Sequence, residues 1–96
     1  MKVRYTRRAR NDIAEIFTYI AKDDRAAAQR VQRAIVAAID LVAARPFVGI
    51  KNARAPELRS RLVSRYPYRV HYFVRDEEVL ILGVWHTARR PFGSAP

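Results

Sequence analysis

The stretch Tyr68-Arg69-Val70-His71-Tyr72-Phe73-Val74-Arg75, followed across Asp76-Glu77 by Glu78 to His86, decides the fold of this chain. Successive side chains of a β-strand point to opposite faces of a sheet, so each stretch has one apolar face. In the first stretch the apolar face consists of Tyr68, Val70, Tyr72 and Val74, and the other face carries Arg69, His71, Phe73 and Arg75. We predict that the two stretches are adjoining antiparallel strands joined by a tight turn.

The length of the turn at Asp76-Glu77 predicts which residues face each other. A two-residue turn fixes the pairing, and a shift of one residue would exchange the two faces of a strand. The predicted apolar pairs are Val74 with Val79, Tyr72 with Ile81 and Tyr68 with Trp85, and the predicted pairs of the opposite face are Arg69 with Val84 and His71 with Leu82. We expect the apolar face to pack against helices and the opposite face to stay open.

The preceding segment, Leu58 to Val63, also alternates and predicts a further strand. Its leucines are expected on the apolar face and its arginines on the open face. The open face is therefore predicted to gather five basic side chains: Arg59, Arg61, Arg69, His71 and His86. Arginine binds phosphates and carboxylates through a planar fork, so such a face is typical of proteins that bind nucleic acid or an acidic partner.

The first half of the chain predicts a short strand and two helices. Met1 to Thr6 alternates and ends in a threonine suited to cap a helix from Arg7 to about Lys22. A second helix is predicted from a cap at Asp23-Asp24 to about Ala44, because Pro46 disfavours helical geometry just before it. The apolar stripes are Ala9, Ile13, Ile16, Phe17 and Ile20 in the first helix, and Val31, Ile35, Ala38, Ile39 and Val42, widened by Ala34 and Leu41, in the second.

The remaining segments are connections. Phe47 to Pro56 is predicted to be a loop, Ser64 to Pro67 a turn, and the residues from about 87 onward a tail. The predicted order is strand, helix, helix, strand, strand, strand. This is an α+β fold in which a helical hairpin packs on one face of a mainly antiparallel sheet, and residues 1–96 are expected to form one domain.

Composition narrows the function classes. The chain has no cysteine, and its two histidines lie among cations, so neither a metal site nor a cofactor is expected. Asp12 and Glu15 interrupt any apolar segment of a signal peptide, and the longest apolar run, Val79 to Trp85, is too short to cross a bilayer. A cytoplasmic protein without membrane contact is therefore predicted.

Positive charge is the strongest bulk property of the chain. The net charge is +10, and 16 of the 19 cations are arginine. Between Arg45 and Arg69, seven cations accompany one acid, Glu57. Such a field attracts nucleic acid or acidic proteins. The residues that we expect to bind the target or a nucleic acid are Lys51, Arg54, Arg59, Arg61, Arg65 and Arg89.

Several short motifs occur in an order that a known family shares. They are Ala9-x-x-Asp12-Ile13-x-x-Ile16-x-x-Tyr19-Ile20, then Ala28 and Ala38-Ile39-x-Leu41, then Arg45-Pro46-x-x-Gly49, then Tyr68-Arg69-Val70-x-Tyr72, and finally Val84-Trp85-His86-x-x-Arg89. Taken together, they resemble the RelE/ParE superfamily of type II toxin–antitoxin toxins over nearly the whole chain, from Val3 to about Pro91.

The resemblance implies a small basic toxin that inhibits growth, of the kind that stabilises plasmids. It also implies a cognate acidic antitoxin, encoded by a neighbouring gene, whose C-terminal segment wraps the toxin in a hetero-oligomer. The residues that we expect to bind the antitoxin are Ile16, Tyr19, Ile20, Arg59 and Arg61.

Two activities compete within this superfamily. RelE-like members are metal-independent endoribonucleases that cut mRNA on the ribosome, and ParE-like members inhibit DNA gyrase without nuclease activity. For the nuclease, the resemblance suggests Arg69 and His86 as catalytic residues, with Glu57 as the base. His86 has a second interpretation, as a strand-end residue bonded to a nearby carbonyl or carboxylate.

The motifs favour the gyrase inhibitor. Ribosome-dependent nucleases commonly carry a tyrosine near the chain end, whereas Thr87 follows the histidine here. The pattern Tyr68-Arg69-Val70-x-Tyr72 is typical of ParE-like members. A third hypothesis, a basic nucleic-acid-binding module, is weaker because no Gly-rich phosphate loop or helix-turn-helix is recognisable.

Overall fold

The two helices pack on one face of a five-stranded sheet, as the computed structural model describes for residues 1–88. The elements are β1 (Lys2–Tyr5), α1 (Arg7–Ala21), α2 (Arg25–Ala44), β2 (Ile50–Lys51), β3 (Leu58–Leu62), β4 (Tyr68–Arg75) and β5 (Glu78–His86). The strand order is β1-β5-β4-β3-β2, and every pair is antiparallel except β1 with β5. The predicted α+β fold is confirmed, and the short strand β2 lies where the sequence predicted only a loop.

Both predicted helix caps form. The Thr6 hydroxyl accepts a hydrogen bond from the backbone N–H of Ala9 at 3.0 Å, and the Asp24 carboxylate accepts one from Ala27 at 3.0 Å. Each bond satisfies an amide that has no partner within the helix, so it fixes where the helix begins. Thr6 also donates to the carbonyl of Leu82 at 3.0 Å, which ties the start of α1 to β5.

The core lies between the helices and one face of β4 and β5. Both predicted stripes contribute to it, since Ala9 and the five predicted residues of α2 are buried. The buried core residues are Ala9, Val31, Ile35, Ala38, Ile39, Val42, Val63, Val70, Tyr72, Val79, Ile81 and Val84. Tyr72 is the largest fully buried side chain.

A β-bulge at Leu82 overturns the outer half of the predicted hairpin register. Near the turn, Val74 faces Val79 and Tyr72 faces Ile81, as predicted. Between His71 and Tyr72 the register shifts by one residue, so the outer pairs are Tyr68 with His86, Arg69 with Trp85 and His71 with Gly83. The extra residue of a bulge reverses the faces of everything beyond it. Trp85 therefore lies on the open face, and His86 lies on the face of Tyr68.

The predicted face of β3 is also wrong. Arg59 lies opposite Tyr72 and Arg61 opposite Val70, so both arginines are on the helix side of the sheet. Leu58, by contrast, lies opposite Phe73 on the face that was expected to stay open. That expectation is wrong at Leu58, His71 and Trp85, which are 2%, 8% and 4% exposed. Of the five basic side chains expected on the open face, only Arg69 and His71 are there; Arg59, Arg61 and His86 are on the other side.

The turn between β4 and β5 is a site where stability can be gained. Asp76 and Glu77 have φ angles of 51° and 63°, the left-handed region that a type I′ hairpin turn requires and that glycine adopts without steric cost. Glu77→Gly should therefore raise the free energy of unfolding by roughly 1 kcal/mol in urea denaturation. The control is Glu78→Gly, one residue later inside β5, which should lower the free energy of unfolding. If both variants change the free energy of unfolding equally, the backbone at Glu77 is not strained.

Candidate functional site

A tyrosine and an arginine hold the backbone that follows α2. The Tyr72 hydroxyl donates to the carbonyl of Pro46 at 2.9 Å and accepts from the N–H of Gly49 at 2.9 Å. The Arg59 guanidinium donates to the carbonyls of Phe47 and Gly49 at 3.1 and 3.0 Å. Four hydrogen bonds thus fix residues 46–49 against β3 and β4. We call Pro46–Lys51 the clamped loop.

Gly49 makes the clamp possible by its lack of a side chain. A Cβ atom at this position would lie 2.8 Å from the carbonyl oxygen of Ser60 and closer still to the Tyr72 hydroxyl. Any other residue would push the loop away from β3 and weaken the four bonds. The sequence placed this glycine in a loop, but its closeness to Tyr72 depends on the tertiary structure.

Burial of the Tyr72 ring raises the pKa of its hydroxyl above the ordinary value of 10.0. The hydrogen bond from Gly49 and the charges of Arg59 and Arg61 lower this pKa, but the loss of hydration is the larger effect. The hydroxyl therefore keeps its proton at neutral pH. Because it is protonated, it can both donate to Pro46 and accept from Gly49, as the clamp requires.

The clamped loop displays apolar side chains beside cations. Phe47 is 66% exposed and Ile50 is 68% exposed. The Arg59 guanidinium lies over the Phe47 ring, 5.0 Å from its centroid. Lys51 pairs with Arg59 across β2 and β3, which places both cations on the same face. Ile50 pairs with Ser60 and therefore lies on the opposite face of β2 from these cations. The edge of the sheet thus carries Phe47 beside the cations and Ile50 on its other face.

Five of the six predicted target-binding residues lie in three places. Lys51, Arg59 and Arg61 lie together on one face of β2 and β3. Arg54 is exposed in the following loop, while Arg65 is exposed in the turn after β3, where its φ is 73°. Arg89 lies outside the described residues. We call the basic residues of β2, β3 and the loop between them the basic edge: Lys51, Arg54, Arg59 and Arg61.

The three residues suggested for a nuclease are not brought together. Glu57 is exposed just before β3, whereas Arg69 pairs with Leu62 at the far end of that strand. Five residues of strand correspond to about 16 Å. Arg69 donates to the Ser60 hydroxyl at 3.0 Å on the open face. His86, on the other face, meets the Tyr68 ring edge-on at 5.6 Å between centroids, and its Nδ1 accepts from the N–H of Ala88 at 3.0 Å.

A cluster around Trp85 was not predicted from the sequence. Trp85 stacks against His71 with 4.3 Å between ring centroids, and the Arg8 guanidinium lies 4.5 Å from the indole centroid. Beside it, an Asp12 carboxylate oxygen accepts from the N–H of Val84 at 3.0 Å. Gly83 permits this approach, since a Cβ there would meet both Asp12 and Trp85 at 2.9 Å. The sequence feature that could have indicated this close contact is Gly83, an isolated glycine within the strand pattern of β5.

Residues 1–88 contain no group of three or more histidine, aspartate or glutamate side chains placed to hold a metal ion. Over the same residues, no helix is both long and apolar enough to span a bilayer.

Comparison with known proteins gives the family. The family described as the ParE toxin of the type II toxin–antitoxin system parDE matches residues 3–91. This chain belongs to the ParE toxin family. A curated relative from Sinorhizobium fredii, named "Putative toxin Y4kP", is 38% identical over 80 residues, which cover 82% of each chain.

Solved structures agree with this toxin in fold. A structure titled as the chromosomal ParDE system of P. aeruginosa has a TM-score of 0.75 at 22% identity and covers 90% of this chain and 95% of that one. A structure titled as a YoeB/ParE toxin from Agrobacterium tumefaciens has a TM-score of 0.62 at 17% identity, covering 90% and 98%. The predicted membership of the RelE/ParE superfamily is confirmed, and a type II toxin implies an antitoxin partner.

The residues expected to bind that antitoxin differ in exposure. Tyr19 is 74% exposed on the outer face of α1, while Ile16 and Ile20 are half-buried against the core. Around the Tyr19 ring is an open depression of about 380 Å³, lined by Ala14, Glu15, Thr18, Tyr19 and Lys22. The toxin thus offers one prominent aromatic side chain on α1, apart from the arginines of β3.

Proposed function

We propose that this toxin inhibits DNA gyrase and is neutralised by a cognate acidic antitoxin encoded by a neighbouring gene. The observation that supports gyrase rather than mRNA is the separation of Glu57, Arg69 and His86. Glu57 immediately precedes β3, whereas Arg69 of β4 pairs with Leu62, the last residue of β3. Arg69 and His86 lie on opposite faces of the sheet.

Cleavage of RNA without a metal requires these groups to act on one phosphate. A base must reach the attacking 2′-hydroxyl, a cation must stabilise the developing negative charge, and an acid must protonate the leaving oxygen. Each must lie within hydrogen-bond distance of its atom, so the three side chains must surround one site a few ångströms across. The separation of these three residues in this toxin supports target binding over RNA cleavage.

Inhibition of gyrase requires binding rather than bond chemistry. The basic edge offers cations that can steer the toxin to an acidic surface and bind it there. Within the basic edge, Lys51 and Arg59 lie on one face, and Arg61 continues the same row along β3. We assign target binding to this edge, together with Arg65 and Arg89.

Neutralisation follows if the antitoxin covers the same cations. We propose that an acidic antitoxin segment contacts Ile16, Tyr19 and Ile20 on α1 and also reaches Arg59 and Arg61. An extended chain covers up to about 3.3–3.6 Å per residue, so a segment of some twenty residues is long enough to cross a domain of this size. Bound in this way, it would occupy part of the surface that the target needs.

The purified toxin should inhibit supercoiling by DNA gyrase and leave ribosome-bound mRNA uncut. His86→Ala should weaken gyrase inhibition by less than tenfold, or about 1.4 kcal/mol, because the imidazole contributes at most a binding contact. A nuclease that uses this histidine as a general acid would instead lose on the order of 10²- to 10⁴-fold in rate. The measurements are a supercoiling assay and a ribosome-programmed cleavage assay on the same preparations.

Arg69→Ala and Glu57→Ala serve as parallel variants in both assays. Each should leave mRNA intact, as the wild type does. Codon-phased cleavage by the wild type that His86→Ala abolishes would overturn the proposal in favour of the nuclease. Weak, salt-dependent binding to any nucleic acid, with no effect in either assay, would instead indicate a general nucleic-acid-binding module.

A further inference from the structure

We infer that the clamped loop is the element that docks into gyrase, with Phe47 and Ile50 inserted into apolar pockets of an acidic protein surface. The inference rests on the proposed function and adds to it a contact that the basic residues alone did not predict. It is carried by three features of the loop: its rigidity, its apolar exposure and its surrounding charge.

Rigidity comes from the four hydrogen bonds of the clamp. Tyr72 and Arg59 fix the carbonyls of Pro46, Phe47 and Gly49 and the N–H of Gly49 at distances of 2.9–3.1 Å. A loop that is already ordered loses little conformational entropy when it binds, so its contacts add to the affinity more fully.

Two large apolar side chains of this loop are exposed: Phe47 lies beside Arg59, and Ile50 lies on the opposite face of β2. Phe47 and Ile50 are three residues apart, and each exposes about two thirds of its surface. The Arg59 guanidinium contacts one face of the Phe47 ring, and the ring remains at the protein surface. Aromatic side chains of this kind, beside arginine, are typical of the residues that dominate the binding energy of protein interfaces.

Charge and apolar exposure together point to a protein rather than a nucleic acid. Arg59 lies over Phe47, and Lys51 and Arg61 lie on the same face of the sheet, so the surface that complements this face is negative. DNA phosphates would satisfy the cations, but most contacts to DNA are hydrogen bonds to phosphate and sugar, which give no pocket for two large apolar side chains. An acidic protein surface with apolar pockets satisfies both.

Tyr72 and Arg59 act here as positioning residues, and the phenol hydroxyl can be tested separately from its ring. Tyr72→Phe keeps the buried ring but removes both bonds to Pro46 and Gly49. We expect gyrase affinity to fall several-fold in this variant. Ile35→Val provides the control, because it lowers stability in the core without touching the loop and should leave affinity unchanged.

The deciding experiment compares Phe47→Ser/Ile50→Ser with Val36→Ser. Val36 is also a large apolar residue, 49% exposed, but it lies on α2 away from the loop. The double variant should need at least tenfold more protein to inhibit supercoiling by the gyrase holoenzyme, and should bind the holoenzyme correspondingly less tightly. Val36→Ser should match the wild type. Because both sites are exposed, circular dichroism should show the same fold throughout.

The possible outcomes are distinct. If the wild type inhibits gyrase and the double variant does so equally well, the inference is wrong and the proposed function stands. If the wild type does not affect gyrase, both the inference and the proposed function are wrong. Binding to a DNA duplex without gyrase should be the same for the double variant and the wild type; a tenfold loss there would show that the loop contacts nucleic acid and would overturn the inference.

Discussion

Replacing Tyr72 with alanine should lower the free energy of unfolding by about 3–5 kcal/mol, the usual loss for a large aromatic side chain removed from a core. The ring is fully buried between the sheet and the helices, opposite Ile81. The hydroxyl adds to the effect, because its loss leaves the N–H of Gly49 without the acceptor that satisfies it in the wild type. Chemical denaturation monitored by far-UV circular dichroism measures the change.

Arg69→Ala provides the comparison within the same strand. Its side chain lies on the open face and bonds Ser60, so its loss should cost roughly 1 kcal/mol. Equal destabilisation by the two variants would contradict the assignment of the β4 faces.

Tyr19→Ala should weaken binding of the cognate antitoxin by about 2–4 kcal/mol, which is roughly 30-fold or more. The ring is 74% exposed on α1, so this loss would come from the complex and not from the stability of the free toxin. Titration calorimetry with the purified product of the neighbouring gene measures it. Unchanged melting of the Tyr19→Ala toxin alone is part of the expected result.

Val36→Ala is the matched control on the other helix and should leave antitoxin affinity within twofold. In cells, co-expression of the antitoxin should restore growth to cells that express the wild-type toxin, and rescue of Tyr19→Ala should require more antitoxin. Equal affinity of the antitoxin for Tyr19→Ala and wild type would place its main contact elsewhere than on α1.

The regular part of the fold could be predicted because local signals agreed with the tertiary structure. Thr6 and Asp24 cap the helices where the sequence placed the caps, and Pro46 follows the end of α2. The bounds of β4 and β5 also match, and so do the pairs nearest the turn, since a two-residue loop fixes their register.

The errors began where one strand departs from regular alternation. Beside the bulge at Leu82, Asp12 reaches from α1 and accepts a hydrogen bond from the N–H of Val84, and Gly83 leaves room for its carboxylate. Neither contact follows from the periodicity of β5. The faces of β3 were misjudged for a similar reason: Arg59 lies on the helix side because carbonyls of the loop after α2, and not a helix, receive its guanidinium there.

The sequence predicted the positive charge of the candidate site but not its exposed apolar side chains. Arg59, Arg61 and Lys51 were identified from the density of cations, which composition reveals directly. Phe47 and Ile50 were assigned to a loop without a role, because apolar residues in a loop carry no signal until the hydrogen bonds of Tyr72 fix their position.

The extra residue in β5 also has an evolutionary consequence. Leu82 has no partner on β4, so loss of its single codon would leave Gly83 opposite His71 and Trp85 opposite Arg69. Every other side chain of β5 would keep its present face of the sheet. Lineages that share this scaffold could therefore gain or lose one residue at this point without changing which side chains each face presents.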